Sequence, residues 1–239
     1  MPVTDFLERN VKLYGNEVAL VERNPEVSDR KRMDWKESAL VQTNSGESYR
    51  REITWGVMNE KANRFANMLL SRGVGKGDKV AILMYNSLEW LPVYFGILKT
   101  GALAVPFNFR YSAEEIVYCA NLAEVDILVF GLEFVDRLAP IADSLGRGRL
   151  LIYVGDGCPD FAESYHELSA DCSSGDPQVL ITDDDDAAIY FSSGTTGFPK
   201  AILHSRLSPR SGVPLSGSWY PGRKIYWTCW IGGKSSFPR

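Results

Sequence analysis

The chain has no apolar run long enough to cross a bilayer. Its densest stretch, Trp90 to Leu98, is short and interrupted by Pro92, against the roughly 20 residues a spanning helix needs. The first ten residues, MPVTDFLERN, are acidic early and lack the apolar core of a secretory leader, so the reading is a cytoplasmic chain without a membrane span. Cysteine is scarce: Cys119, Cys158, Cys172 and Cys229 stand far apart with no paired spacing. That suits reduced thiols and argues against a disulfide framework or a zinc site. There is no internal repeat. Acidic residues are missing after Asp186: all 30 lie at or before it, whereas seven of the 26 Lys and Arg follow it.

What is present is the balance of an ordinary globular protein, with 239 residues, 45% hydrophobic and 23% charged. This excludes a collagen-like rod, a coiled coil or a disordered tail and allows one large domain or two small ones. The body up to Asp186 is strongly acidic and no helix gathers Lys and Arg on one face, so nucleic acid is not an expected partner. From Arg206 the composition shifts. These last 34 residues hold five Gly, four Pro, six Ser and three of the six Trp, with no sustained helical or strand period. Residues 206–239 are therefore read as a divergent basic tail, an aberrant continuation of the chain.

The apolar periodicity places a helix over 4–14 capped by Thr4, a strand over 19–22 and a polar surface excursion over 24–50. Met58, Ala62, Phe65, Ala66, Leu69 and Leu70 share one face of a helix that begins at Thr54 and stops at Gly73. Lys79 to Tyr85 reads as a buried strand. A helix capped by Ser87 runs to Leu98 and stops at Gly101, and Ala102 to Pro106 is a further short apolar run. Ser112 and Glu115 form a capping box for a helix through Leu122. Strands over 126–130 and 150–154 flank a helix over 133–145, and 155–178 reads as loop. Short apolar strands alternating with helices predict an α/β fold with a largely parallel sheet. The acidic run Asp183 to Asp186 reads as a solvated turn.

The chemistry is concentrated in Ile189 to Lys200, I-Y-F-S-S-G-T-T-G-F-P-K. A hydrophobic strand, 187–191, ends in a glycine- and hydroxyl-rich stretch, and a second strand, 201–204, follows. Gly194 and Gly197 let the backbone turn tightly and bring N–H groups to an anion. Ser192, Ser193, Thr195 and Thr196 add hydroxyl donors, and Lys200 adds a positive charge. This is not a Walker A loop, because Phe198 and Pro199 separate Gly197 from Lys200, and Ala201 follows.

The segment instead resembles the phosphate-binding signature of the adenylate-forming superfamily of acyl-CoA synthetases, luciferases and peptide-synthetase adenylation domains. Ile189, Ser192, Ser193, Gly194, Thr195, Thr196, Gly197, Pro199 and Lys200 fill its pattern. The run Thr54 to Trp90 is similar to the family's first helix and strand, and Gly96 to Asn108 to its G-x-x-K-x-G-x-x-x-x-P-x-N block, whose residues read as core and turn positions. The likeness covers residues 1–205. It implies the N-terminal part of an adenylation domain of the acetyl-CoA synthetase-like fold, with the phosphate loop between two strands. It also implies activation of a carboxylic acid by ATP and Mg²⁺ to an acyl-adenylate, then transfer to coenzyme A.

In that scheme Thr195, Thr196 and Lys200 hold the leaving phosphates, Ser192 to Gly194 shape the loop, Pro199 ends it, and Thr196 is the candidate metal ligand. The acid itself is not legible. The family's later blocks, including a ribose-binding aspartate and a C-terminal catalytic lysine, have no counterpart here; Asp156 and Asp183 to Asp186 precede the loop in chain order. Where the family places His six residues after the loop lysine, Arg206 stands, with His204 read as a strand residue. The expectation is an incomplete acid–CoA ligase; the alternative is a truncated, non-catalytic fragment that at most binds nucleotide phosphates.

Overall fold

The computed structural model describes residues 2–23, 50–145, 148–192 and 199–205, and the backbone of 227–230. In chain order the elements are α1 (Val3–Tyr14), β1 (Val18–Arg23), β2 (Arg50–Thr54), α2 (Trp55–Ser71), β3 (Lys79–Leu83), α3 (Trp90–Thr100), β4 (Leu103–Pro106), α4 (Ala113–Leu122) and β5 (Ile127–Gly131). Then follow the one-turn helices α5 (Val135–Leu138) and α6 (Ala142–Leu145), β6 (Leu150–Val154), β7 (Glu163–Ser164), α7 (Tyr165–Ala170), β8 (Asp186–Ser192), β9 (Lys200–Ser205) and β10 (Trp227–Trp230).

Seven strands form one sheet in the order β7-β6-β5-β3-β4-β8-β9, parallel except for the antiparallel β8–β9 pair. Parallel strands need cover on both faces, which explains their unbroken apolar runs. Alternate residues divide between the two layers. Val80, Ile82, Ala104, Ile127, Val129 and Ile152 pack under α2, α3 and α7 with Phe65, Met68, Val93, Ile97 and Tyr165. Ala81, Leu83, Val105, Leu128, Phe130 and Tyr153 pack under α4 and the α5–α6 stretch with Ile116, Cys119, Leu138 and Leu145. A small second sheet, β10-β1-β2, sits on α1 and α2 through Leu7, Ala19, Leu20, Met58 and Ala62.

Several local expectations change on the structure. Thr4 lies inside α1 and is buried rather than capping it; the N-cap position is Pro2, with no side-chain cap. The Ser87 hydroxyl accepts from Glu89 N–H in a turn, and α3 begins only at Trp90. Pro140 lies in a short 3₁₀ turn between α5 and α6, so the helix read over 133–145 is broken into single turns. Residues 163–170, read as loop, form β7 and α7. Arg50–Thr54, read partly as excursion, is a strand that pairs antiparallel with β1. The tail read as lacking any period contributes β10, parallel to β1 from Leu20–Trp227 to Arg23–Trp230. The rest of the tail and of the 24–50 excursion lies outside the described residues.

Other signals hold. Thr54 caps α2 by accepting from Val57 N–H, Ser112 and Glu115 form the reciprocal capping box, and Gly101 ends α3 at φ 86°. The Gly96 to Asn108 block is structural here. Lys99 is buried with its ammonium 2.9 Å from Asp176 and 3.6 Å from Glu8, tying α3 to the 171–178 loop and to α1. Gly96 is where α3 meets α2: a Cβ there would stand 2.9 Å from both the Ala62 carbonyl oxygen and Phe65 Cδ1. Gly96→Ala is therefore expected to lower stability by about 1–3 kcal/mol through forced separation of the two helices. Denaturant unfolding checks this, and a loss below about 0.5 kcal/mol contradicts the contact.

Candidate functional site

The two ends of the glycine-hydroxyl segment meet. Ser192 closes β8, Lys200 opens β9, and the two face each other in the antiparallel ladder, so residues 193–199 form the connection of this hairpin. Seven residues exceed the two of a tight hairpin turn, and the surplus backbone is what wrapping an anion requires. Ser192 is half-buried, Pro199 is buried at the base of the connection, and Lys200 is exposed. Ser193, Gly194, Thr195, Thr196 and Gly197 lie outside the described residues.

The hairpin's place in the sheet carries the argument. β8 runs parallel to β4 and β3, so Ser192 lies on the edge formed by the carboxyl ends of the parallel strands. Ligands of open α/β sheets bind along that edge. The base of the hairpin is fixed on both faces. Phe191 packs against Phe107 and Tyr111, with centroids 5.8 and 6.4 Å away. On the other face the Tyr190 hydroxyl is 2.9 Å from the Tyr94 hydroxyl, and its ring meets His204 edge-on at 5.1 Å. His204 is thus an exposed strand residue, as its position suggests.

The loops after β3, β4 and β5 meet at the same edge through Tyr85, whose ring lies 5.4 Å from both Phe109 and Phe134. This aromatic trio, together with Phe107 and Tyr111, was missed as site scaffolding. The one available signal was the aromatic density of Phe107-Asn108-Phe109-Arg110-Tyr111.

The acidic run stands at the other end of β8. The seven-residue strand β8 runs from Asp186 to Ser192, about 20 Å of rise, which places the acidic run a strand's length from the loop. Asp185 is engaged there: both its carboxylate oxygens lie within 2.9 Å of Lys76 Nζ, and one accepts from Thr182 N–H. The hydrogen bond to Lys76 and that from Thr182 hold its carboxyl below the usual carboxylate range. A lowered folded-state value means the tie is present above the unfolded value near 4 and is lost as the pH falls through the lowered one. Lys76→Met is expected to move the Asp185 titration midpoint upward, read by carboxyl-carbon NMR; an unchanged midpoint refutes the pairing.

A doubly covered, largely parallel sheet with a glycine- and hydroxyl-rich hairpin connection at its carboxyl edge is an architecture in which α/β proteins bind nucleotides. A family model for AMP-binding enzymes matches residues 27–211, and the chain belongs to that family. It is 33% identical over 172 residues to a long-chain-fatty-acid–CoA ligase, FadD13, of Mycobacterium tuberculosis, a match covering 70% of this chain and 32% of that protein. It is 32% identical over 183 residues to a 3-hydroxybenzoate–CoA/4-hydroxybenzoate–CoA ligase of Thauera aromatica, covering 74% of this chain and 35% of that one. Among solved structures, the anthranilate CoA ligase AuaEII in complex with anthranoyl-AMP superposes with a TM-score of 0.71 at 26% identity, over 86% of this chain and 35% of that one. The chain thus spans about a third of the length of these relatives.

Proposed function

We propose that the chain forms the phosphate-gripping part of an acid–CoA ligase, which activates a carboxylic acid with ATP and passes the acyl group to coenzyme A. The observation that carries this is the placement of Ser192 opposite Lys200 at the carboxyl edge of the sheet, with the glycine-threonine stretch between them. The relatives named above, acting on fatty and aromatic acids, support the class of reaction and leave the acid open.

The electrostatics of the step are demanding. An anionic carboxylate must approach an anionic triphosphate, and charge builds on the departing pyrophosphate. In this reading Lys200 and the Thr195 and Thr196 hydroxyls hold the β/γ-phosphates. The N–H groups of Ser193 to Gly197 add donors that need no reorganisation as that charge develops. An exposed Lys200 paired across the ladder from Ser192 fits an anionic ligand. Mg²⁺, when bound with the triphosphate, supplies further charge neutralisation, with Thr196 as its candidate protein ligand. The carboxylates of Asp183 to Asp186 are too distant to take that part. Buried Phe107, Tyr111 and Pro199 keep the base of the loop dry, which strengthens each contact to the phosphates. In this reading the reaction is cytoplasmic, and the acidic body does not favour nucleic acid.

A second reading, a non-catalytic fragment that only binds nucleotide phosphates, is favoured by one observation: the chain spans about a third of its relatives. Calorimetry with Mg-ATP and ATP–pyrophosphate exchange over a panel of fatty and aromatic acids separate the two. Lys200→Ala is expected to weaken Mg-ATP binding about 10- to 100-fold, the size of a lost charge-assisted hydrogen bond of about 1.5–3 kcal/mol. Binding without exchange for any acid selects the fragment reading, and no binding heat at all removes both.

A further inference from the structure

The two rings on which Phe191 rests, Phe107 and Tyr111, belong to the connection between β4 and α4, outside any strand or helix. Within that connection the Asn108 side chain accepts from Arg110 N–H and its carbonyl from Tyr111 N–H, which closes a turn. What ties the turn to the rest of the molecule at its far end is a side chain from α5. Arg137 Nη1 donates to the carbonyl oxygens of both Phe109 and Tyr111, each at 2.8 Å. The same guanidinium lies over the buried Phe134 ring, 5.3 Å from its centroid, and Phe134 in turn meets Tyr85. A planar guanidinium suits this place, because it can stack on a ring and still aim N–H groups in its own plane at carbonyls. Arg137 thereby joins the loop after β4 to the loop after β5 at the carboxyl edge of the sheet.

We propose that Arg137 is a positioning residue for the phosphate hairpin: by holding the turn from Phe107 to Tyr111 it fixes the platform under Phe191, and so the place where Lys200 is presented. The contacts run without a gap. Arg137 grips the Tyr111 carbonyl, the Tyr111 ring meets Phe191 edge-on at 6.4 Å, Phe191 precedes Ser192, and Ser192 pairs with Lys200 across the ladder. Phe107 and Tyr111 are both buried, so neither ring shifts in a close-packed layer without moving what rests on it. A binding site must hold its groups within about 0.5 Å of the productive geometry, and an exposed lysine takes its place from the strand that carries it. This role deepens the proposed phosphate grip and rests on that reading for its ligand, whereas the link from Arg137 to the hairpin rests on the contacts alone.

Arg149 provides the matched control. It also clamps main chain, with Nε 2.7 Å from the Val125 carbonyl and Nη2 2.8 Å from Asn121 Oδ1, but at the opposite edge, where β5 and β6 begin. In the nucleotide-free chain, hydrogen exchange read by mass spectrometry should quicken at least about fivefold in peptides covering β8 and β9 for Arg137→Met, and stay unchanged there for Arg149→Met. Calorimetry should show Mg-ATP bound about tenfold more weakly by Arg137→Met, within the loss that a misplacement on the order of 1 Å causes, and equally well by Arg149→Met. Arg137→Gln, polar but shorter, should act in the same direction and serves if the methionine variant does not fold. Hairpin exchange that neither Arg137 variant alters overturns the proposal, as does an equal change in Arg149→Met, which marks a general loss of stability. Normal Mg-ATP affinity in both Arg137 variants also overturns it. No Mg-ATP heat in the unaltered chain removes the phosphate reading instead, and the exchange rates then decide the role of Arg137 by themselves.

Discussion

Everything in this molecule depends on a parallel sheet having to be covered on both faces. β3, β4, β5 and β6 send alternate side chains into two separate layers, Val80 and Ile82 toward α2 and α3, Ala81 and Leu83 toward α4. Because α3 leads from β3 to β4 on one face and α4 returns from β4 to β5 on the other, the loops at the strands' carboxyl ends converge on one edge. The helices must also approach closely, and Gly96 against Ala62 and Phe65 is where that demand leaves no room for a side chain. The hairpin that bears Lys200 inherits its position from this arrangement.

The distribution of charge along β8 follows the same geometry. The acidic run sits at the strand's beginning, where Lys76 engages Asp185, and the exposed ammonium of Lys200 sits beside the strand's end. A strand's length thus separates carboxylates from the place where phosphates are expected, which removes a repulsion that a shorter strand would impose. Aromatic contacts on both faces of the hairpin base, Phe191 on one and Tyr190 on the other, fix where that charge is presented.

Much of the architecture was legible because its signals are local. The run KVAIL, the Ser112–Glu115 capping box and the Thr54 start of α2 each dictate their element from adjacent residues. What was missed depends on distant partners. Arg50–Thr54 shows no buried face and is a strand only because β1 lies alongside. Ser87 has the chemistry of a cap, yet the chain makes a further turn before Trp90. The two strands flanking the glycine-hydroxyl stretch, which bring Ser192 opposite Lys200, were legible from their pattern, whereas the aromatic anchors were not, since Tyr94 meets Tyr190 across 96 positions of sequence.

Glu22 shows how tightly the parts are joined. Its buried carboxylate accepts from Arg51, its cross-strand neighbour on β2, and from the Leu88 N–H in the connection between β3 and α3. One acidic group is thus anchored in the smaller sheet and grips the loop that emerges from the larger one. A single buried carboxylate thus stitches the smaller sheet to the connection that leaves the larger one, so replacing Glu22 would cut a tie between the two sheets as well as one within the smaller.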